Sequence, residues 1–504
     1  MIKIITQMKI GIVGCGVMGT SIAQLVAQAE IDVILFNRND GTYKAKEKIF
    51  KTIDMLASKG KILDASLIKK HVSTAESLNE LSGCSIIIEA IPENFKNKVA
   101  LFHQIEEVVS PDCIIVSNTS SLSITALSAK LLFPKRVAGL HFFNPAPLMK
   151  IVEIVTSSFS DDDTISKLTD FIKLLGHESI QTKDTPGFVI NHVGRGYVTE
   201  AMHILTENVT SFHEIDKILR DTAKFKMGPC ELLDLTALDV SHPVMESIYE
   251  QFYHDPRYKP QPITRQMLAA GHVGRKVGKG FYTYDDGIQE IFPEQYFEHI
   301  SEPKLYINDK NVELLLERQG IQVQVTPNYD NADAILMSSL GTDLTTEVTM
   351  RKVDACRSIA IDIVGNMDVR VVLMTTLKTS PYSIAAAVSA FKKANKKVSV
   401  IRDSSGYITQ RVLAVIINIA SEIAQQGIAT PEDIDKAIKL GLGYPKGPLE
   451  WGDEIGSETI LEILTNLQQQ TGSDRYRPSP WLRRRAKLGL SLLSKELCYG
   501  SIHL

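Results

Sequence analysis

The 504-residue chain has little tryptophan, with two residues, and aromatics make up only 7% of it. It has no paired-cysteine motif. Cys15, Cys84, Cys113, Cys230, Cys356 and Cys498 are scattered without a CxxC. That argues against a disulfide framework or a zinc site and for a reducing, cytoplasmic setting. It has no surplus of charge, with 55 Lys and Arg against 59 Asp and Glu and a net charge of -4. Nucleic acid is therefore not expected as the main partner. Long hydrophobic runs are also missing. Stretches such as Ile86–Ile91 fall far short of the roughly 20 residues a membrane helix needs. The N-terminus carries no small-residue cleavage site, so no secretory signal is expected, and residues 1–7 read as an extension ahead of Met8. What is present is a globular balance, 44% hydrophobic and 23% charged. At roughly 100–200 residues per domain, this length suggests about three or four domains.

The first of them opens on an apolar strand, Lys9–Val13, which runs into Gly14-Cys15-Gly16-Val17-Met18-Gly19 and then a helical pattern. A second strand, Val33–Phe36, follows. A G-x-G-x-x-G run between a strand and a helix permits a tight turn and close backbone approach to a pyrophosphate, with helix N–H groups facing the anion. Cys15 inside it reads as a small buried residue rather than a redox site. The second strand ends in Asn37-Arg38, where NAD-binding units usually place an acidic residue for the ribose. Asn37 removes a charge that would repel a 2′-phosphate, and Arg38 can pair with one. Tolerance of NADP is one reading. A solvated Arg38, with Asn37 on the ribose of NAD, is the other. Further strands are expected at Ser85–Glu89, Ile114–Ser117 and Val137–Phe143, which together describe a doubly wound parallel sheet.

Chemistry concentrates in RVAGLHFFNPAPLMKIVEIV. His141 lies in an apolar strand, Asn144-Pro145 makes a turn, and a second apolar run, Leu148–Val155, is interrupted by Glu153. A carboxylate in such a run needs a partner, and a strand–turn–strand shape brings it back to His141. A His–Glu pair fixes the imidazole tautomer and suits removal of a hydroxyl proton. A purely structural buried pair fits the spacing equally well.

Gly14–Gly19, Asn118-Thr119-Ser120-Ser121, His141-Phe142-Phe143-Asn144-Pro145, Glu153 and Asp184-Thr185-Pro186-Gly187-Phe188-Val189-Ile190-Asn191 together resemble the 3-hydroxyacyl-CoA dehydrogenase family. The resemblance covers about residues 8–285. It implies NAD-linked interconversion of L-3-hydroxyacyl-CoA and 3-ketoacyl-CoA, with His141 as general acid/base and Glu153 orienting it. Ser120 and Asn191 would hydrogen-bond the substrate oxygens. Gly14, Gly16 and Gly19, with Val17 and Met18 between them, would hold the pyrophosphate. Asn37, Arg38, Glu89, Asn94, Ser120, Asn144 and Lys276 would complete the cofactor site. Thr52 and Lys59, in the lysine-rich helical stretch 44–61, match positions that touch CoA, although a solvated helix face explains those lysines as well. Asn37 departs from the family's Asp, which leaves the choice between NAD and NADP open.

The rest of the chain contains an internal repeat. Asp184, Gly187 and Phe188 recur as Asp403, Gly406 and Tyr407. Ile215 and Asp216 recur as Ile434 and Asp435, and Gly228, Pro229, Glu231 and Asp234 as Gly447, Pro448, Glu450 and Asp453. The offset is constant, so two copies of one helical domain are expected. In the second copy Gln410 replaces Asn191, and a loose upstream alignment places Ala360 at the His141 position. Strand-like runs at Ile321–Thr326, Ala334–Met337, Ser358–Val364, Val371–Met374 and Lys397–Ile401 suggest a degenerate α/β unit without a glycine fingerprint. The expected architecture is an α/β Rossmann domain over 1–185, an all-α domain over 186–285, a degenerate Rossmann-like segment over 304–402 and a second all-α domain over 403–504. Residues 286–303 act as the linker. The stretches GYPKGPLEWGDEIG (443–456) and DRYRPSPWLRRRA (474–486) resemble long members of the family, of the 3-hydroxyadipyl-CoA and 3-hydroxybutyryl-CoA type. The implied partner is an acyl-CoA substrate, with the chain a monomer or a homodimer through helical domains, without metal, nucleic acid or membrane. A β-hydroxyacid dehydrogenase acting on a small free acid, and a cofactor-binding protein without turnover, are the rival readings.

Overall fold

The computed structural model describes residues 8–38 and 41–496. Cys498 and the expected extension over 1–7 lie outside them. The first sheet has eight strands: β1 (Lys9–Val13), β2 (Asp32–Phe36), β3 (Val72–Thr74), β4 (Ile86–Glu89), β5 (Ile114–Ser117), β6 (Val137–Phe142), β7 (Ile151–Thr156) and β8 (Glu178–Lys183). Their order is β3-β2-β1-β4-β5-β6-β7-β8. Strands β4 to β6 are buried along their whole length, as apolar runs covered on both faces should be. Neighbours run parallel except β6 and β7, which pair antiparallel. The sheet is thus mixed rather than wholly parallel. The strand expected over Leu148–Val155 starts only at Ile151, because the N–H groups of Leu148 and Met149 turn back onto the Pro145 carbonyl oxygen. The helices used below are α1 (Val17–Gln28), α2 (Gly41–Ser58), α3 (Phe95–Glu106), α4 (Ile190–Thr206), α5 (Phe212–Ala223), α6 (Lys310–Arg318), α7 (Ile408–Gln425) and α8 (Pro431–Gly441).

The second sheet contains β9 (Leu305–Ile307), β10 (Ala334–Met337), β11 (Ser358–Ile361), β12 (Arg370–Thr375) and β13 (Lys397–Ile401), in that order across the sheet. Its one antiparallel pair is β11 with β12. It therefore repeats β4 to β8 of the first sheet and, among the described residues, has no counterpart of β1 to β3. The run Ile321–Thr326 is not a strand. It is held to Leu305 by a single bridge at Val325 and by two backbone hydrogen bonds, and Leu305–Ile307 forms the edge instead.

The chain packs as two compact units that cut across the sequence boundaries. One comprises residues up to Asn191 together with Gln426–Leu442, and the other His192–Gln425 and the residues from Gly443. In the first unit, α8 of the second helical repeat packs on β7 and β8. There the Lys183 N–H donates to the Ile428 carbonyl at 2.9 Å. In the second unit, the equivalent helix of the first repeat, α5, packs on β12, and Ser399 Oγ donates to Glu214 at 2.7 Å. Also in the second unit, α4 and α7 approach closely at Gly196, where an added Cβ would lie 3.1 Å from Ile419 Cδ1. Beside this crossing the buried Glu200 carboxylate accepts from Arg411 at 2.8 Å and Arg475 at 2.6 Å, and from the Tyr476 hydroxyl at 2.9 Å. Burial opposes its charge, but the two guanidiniums outweigh burial and hold Glu200 far below the usual carboxylate range. Charges buried at such a depth must be paired, and removing one partner typically costs about 3–5 kcal/mol. The two helical repeats are thus joined by a packed, polar-locked seam.

Candidate active site

The glycine loop has three different jobs for its three glycines. Gly14 has φ +108°, and a Cβ there would lie 2.5 Å from the Ala90 carbonyl oxygen. A Cβ on Gly19 would collide with the Gly14 carbonyl, so this glycine lets α1 pack against β1. Gly16 faces open space, with no atom within 4 Å of its Cβ position. It opens α1 with no side-chain cap and no acidic residue in the first turn. Val17 is exposed and Met18 packs against the sheet core. An unhindered helix N-terminus behind a glycine that leaves room for close approach fits a pyrophosphate. Cys15 is half-buried beside the Phe36 carbonyl, and burial pushes its thiol up to about 11, away from thiolate chemistry.

At the end of β2, Asn37 lies against the start of α2. A Cβ on Gly41 would be 2.8 Å from Asn37 Nδ2. Exposed Arg38 donates to Gln104 Oε1 on α3 at 2.9 Å. Glu89, expected to line the cofactor site, is fully buried at the end of β4. Its carboxylate takes Lys98 at 2.6 Å, the Ile91 N–H at 2.7 Å and Ser117 Oγ at 2.6 Å, so it braces the loops that follow β4 and β5. Asn94 caps α3 through its side chain, 3.0 Å from the Asn97 N–H. Sequence reasoning missed Glu93, which gathers Lys98 at 3.2 Å, the Ser120 N–H at 3.2 Å, Ser121 Oγ at 2.9 Å and the Thr119 hydroxyl. Burial raises its carboxyl, but Lys98 and the hydroxyls more than offset that and hold it below the usual range. Its signal was a carboxylate five residues before a lysine, ahead of a run of hydroxyls. Thr52 lies on α2 with its hydroxyl on the Lys48 carbonyl at 2.9 Å, and Lys59 is exposed just past that helix. Lys276 belongs to the other compact unit, where it pairs with Asp239.

His141 and Glu153 are direct partners in the β6–β7 register. His141 Nδ1 and Glu153 Oε2 are 2.7 Å apart, with both side chains buried. The other carboxylate oxygen accepts the N–H groups of Val189 and Ile190, each at 2.9 Å, at the start of α4. Glu153 therefore joins the histidine to the helix that carries Asn191. The rings of Phe143 and Phe188 flank the imidazole, with centroids 4.4 and 5.6 Å away. Asn118 Oδ1 accepts the Phe142 N–H at 2.9 Å and ties the serine loop to β6. Asn144 is exposed on the turn after β6, and Ser120 is half-buried after β5. On the far side of β7, α8 brings Gly441 so close that an added Cβ would lie 2.5 Å from Ile190 Cδ1 and 3.3 Å from Ile151 Cγ2. No sequence signal indicated that a helix of the second repeat stands there.

The comparisons with known proteins bear on this arrangement. The sequence model for the NAD-binding domain of 3-hydroxyacyl-CoA dehydrogenase matches residues 9–185. The model for the C-terminal domain of the same enzymes matches twice, at 187–284 and 406–496. The chain belongs to the 3-hydroxyacyl-CoA dehydrogenase family. It is a nicotinamide-dependent dehydrogenase of that family, and the open glycine loop fits its cofactor. A 3-hydroxyadipyl-CoA dehydrogenase of Escherichia coli is 32% identical over 96% of this chain and 98% of its own length. A probable 3-hydroxybutyryl-CoA dehydrogenase of Deinococcus radiodurans is 36% identical over 55% of this chain and all of its own. The crystal structure of an Escherichia coli 3-hydroxybutyryl-CoA dehydrogenase superposes with a TM-score of 0.86 at 31% identity, covering 95% of this chain and 98% of that one.

In the second sheet the registers correct one expectation. Ile115 faces Val137 in the first sheet, and Ile335 faces Ser358 in the second. Leu140 lies opposite Ile154, and Ile361 opposite Leu373. One residue further along, His141 opposite Glu153 is matched by Asp362, whose N–H donates to the Val372 carbonyl at 3.0 Å. Asp362, not Ala360, occupies the histidine position, and Val372 the glutamate position. Counting along β10 likewise puts Leu340 at the place of Ser120. Asp362 is buried, burial raises its carboxyl above the usual range, and Gln410 Nε2 lies 3.2 Å from it.

Proposed function

We propose that the chain interconverts L-3-hydroxyacyl-CoA and 3-ketoacyl-CoA with NAD or NADP, using a single site in the first sheet. The observation that carries this reading is the His141–Glu153 pair. Donation from Nδ1 to Glu153 fixes the tautomer and leaves Nε2 to accept the proton of the substrate 3-hydroxyl. Glu153, held by two backbone N–H groups, remains placed to stabilise the imidazolium that forms. The nicotinamide supplies hydride acceptance and donation when bound. In the reducing direction the imidazolium returns its proton to the 3-oxygen, while Ser120 and the Asn191 amide polarise the ketone. Phe143 and Phe188 keep the imidazole in an apolar setting. Gly14, Gly16 and Gly19 would hold the pyrophosphate, with Asn94 and Asn144 on neighbouring loops, and Thr52 and Lys59 would meet the CoA moiety. Following the near-ultraviolet absorbance of the reduced nicotinamide with acetoacetyl-CoA tests the reaction. Loss of absorbance with the thioester, and none with free acetoacetate, is expected. Turnover of the free acid alone would favour the β-hydroxyacid rival.

The Asn37-Arg38 pair supports use of NADP beside NAD. Initial rates with NADPH within about tenfold of those with NADH are expected, because Asn37 puts no charge at the end of β2 and Arg38 can pair with the 2′-phosphate. A strong preference for NADH would place Asn37 on the ribose of NAD instead.

A further inference from the structure

The second sheet has lost the groups of the reaction but has kept a cleft. A cavity of about 510 Å³ lies at the ends of β10 and β11, within the second compact unit. Its lining includes Leu340 and residues 363–366, which occupy the places that Ser120 and residues 142–145 occupy after β5 and β6. The cavity thus lies where the second sheet repeats the loops that carry Ser120 and Asn144 in the first. No strand equivalent to β1 or β2 precedes β9, and no glycine loop accompanies it, so among the described residues there is no cradle for a dinucleotide. No histidine lines the cavity either.

Its chemistry remains amphipathic. Leu340, Leu413 and Trp451 make an apolar floor, while Lys224, Arg318 and Lys446 bring three cations to the lining beside Glu454, Lys224 being paired with Asp368 at 3.5 Å. Glu454 pairs with Lys446. Arg318, at the end of α6, is exposed and makes no ion pair among the described residues. Apolar walls with a basic rim suit a ligand that has a short apolar chain and an anionic remainder. The volume is that of a typical small-ligand site. It admits an acyl and thioester arm and leaves phosphates at the rim.

We propose that this vestigial cleft binds an acyl-CoA thioester without transforming it, as a second ligand site beside the catalytic one. The ligand class rests on the reading that the first site takes acyl-CoA. The cleft retains recognition but lacks the acid/base pair, so the bound thioester leaves unchanged.

The chain contains its own reporter. It has two tryptophans, and Trp451 lines the cavity while Trp481 donates to the Leu492 carbonyl elsewhere. In full-length Trp481→Phe, titration with acetoacetyl-CoA in the absence of nicotinamide should change Trp451 emission saturably. Calorimetry on the unsubstituted chain should count two thioesters per chain. Arg318→Glu should weaken the second event by about tenfold through lost charge complementarity and leave turnover unchanged. If Trp481→Phe does not fold, the difference in total emission between the unsubstituted chain and Arg318→Glu reads the same site. Turnover with one thioester bound per chain and a silent Trp451 overturns the proposal. A Trp451 response without any turnover supports this site and overturns the reading of the first. Neither response nor turnover contradicts both.

Discussion

The two large sheets of this chain share one plan from β4 to β8 and from β9 to β13, with the same strand order and the same single antiparallel pair. They differ in what the plan carries. In the first sheet a histidine faces a glutamate, and three additional strands bring the glycine loop. In the second an aspartate stands beside a valine, a leucine replaces the serine, and the additional strands are missing. Strand pairing and core packing survive those changes because backbone hydrogen bonds and apolar burial do not depend on those three polar residues. Architecture and chemistry are thus separable within one molecule. Recognition of the fold alone would assign a site to both halves.

The sharpest way to break this contrast is a matched pair of substitutions. His141→Gln should lower turnover by about 10²–10⁴-fold, the usual worth of a placed acid/base group, with little change in cofactor affinity. Asp362→Asn, at the equivalent position, should leave turnover unchanged. Near-normal turnover in His141→Gln, read by steady-state kinetics, would remove the histidine from the reaction.

A second set of changes probes what the degenerate half gives the working one. Residues 426–442 pack with the first sheet, so a chain ending at residue 290 loses α8 from β7 and β8 and half of the seam between α4 and α7. Light scattering after size exclusion should find it dimeric or aggregated, and a stable monomer would contradict the role given to the repeat. A milder version is Gly441→Val, which forces side-chain atoms against Ile190 and Ile151. An expected cost of about 1–3 kcal/mol should appear in thermal unfolding, with a fall in turnover because Ile190 adjoins Asn191.

The smallest expected effect is on the seam's response to acid. His203 is half-buried in the field of Arg475 and Arg411, and desolvation, reinforced by those charges and only partly opposed by Glu200, pushes its pKa down to about 3. The imidazole is therefore neutral in the folded protein, and unfolding releases a group that takes up a proton below its ordinary value of about 6.5. Its stabilising contribution is complete above that value and is lost as the pH falls towards 3, by about 2 kcal/mol at pH near 5. His203→Gln should flatten this part of the stability profile measured by denaturant unfolding. An unchanged profile would assign the acid sensitivity to other groups.

Much of this was legible in the sequence, for identifiable reasons. The glycine loop sits between a strand and a helix, and Glu153 interrupts an apolar run after a turn. Both are local signals, and the structure gives them the expected geometry. The helical repeat was legible because its offset is constant from Asp184 to Asp453. The degenerate sheet was legible from its strand-like runs, but its residue-by-residue match to the first sheet was not, because the offset drifts with loop length and the sequence holds no shared motif. That is why Ala360 was matched to His141 where the register gives Asp362. The strands β3 and β8 were missed, and IQVQVT at 321–326 alternates like a strand but makes only one bridge. Tertiary pairing decides such segments, not propensity. The contact of Gly441 with Ile190 joins residues about 250 positions apart, and no local pattern records it.

Counting bound nicotinamide nucleotides per chain, by quenching or enhancement of NADH fluorescence at known active protein concentration, most directly tests the claim that nicotinamide chemistry is confined to the first sheet. The account predicts one nucleotide per 504-residue chain, and a stoichiometry of two would contradict it.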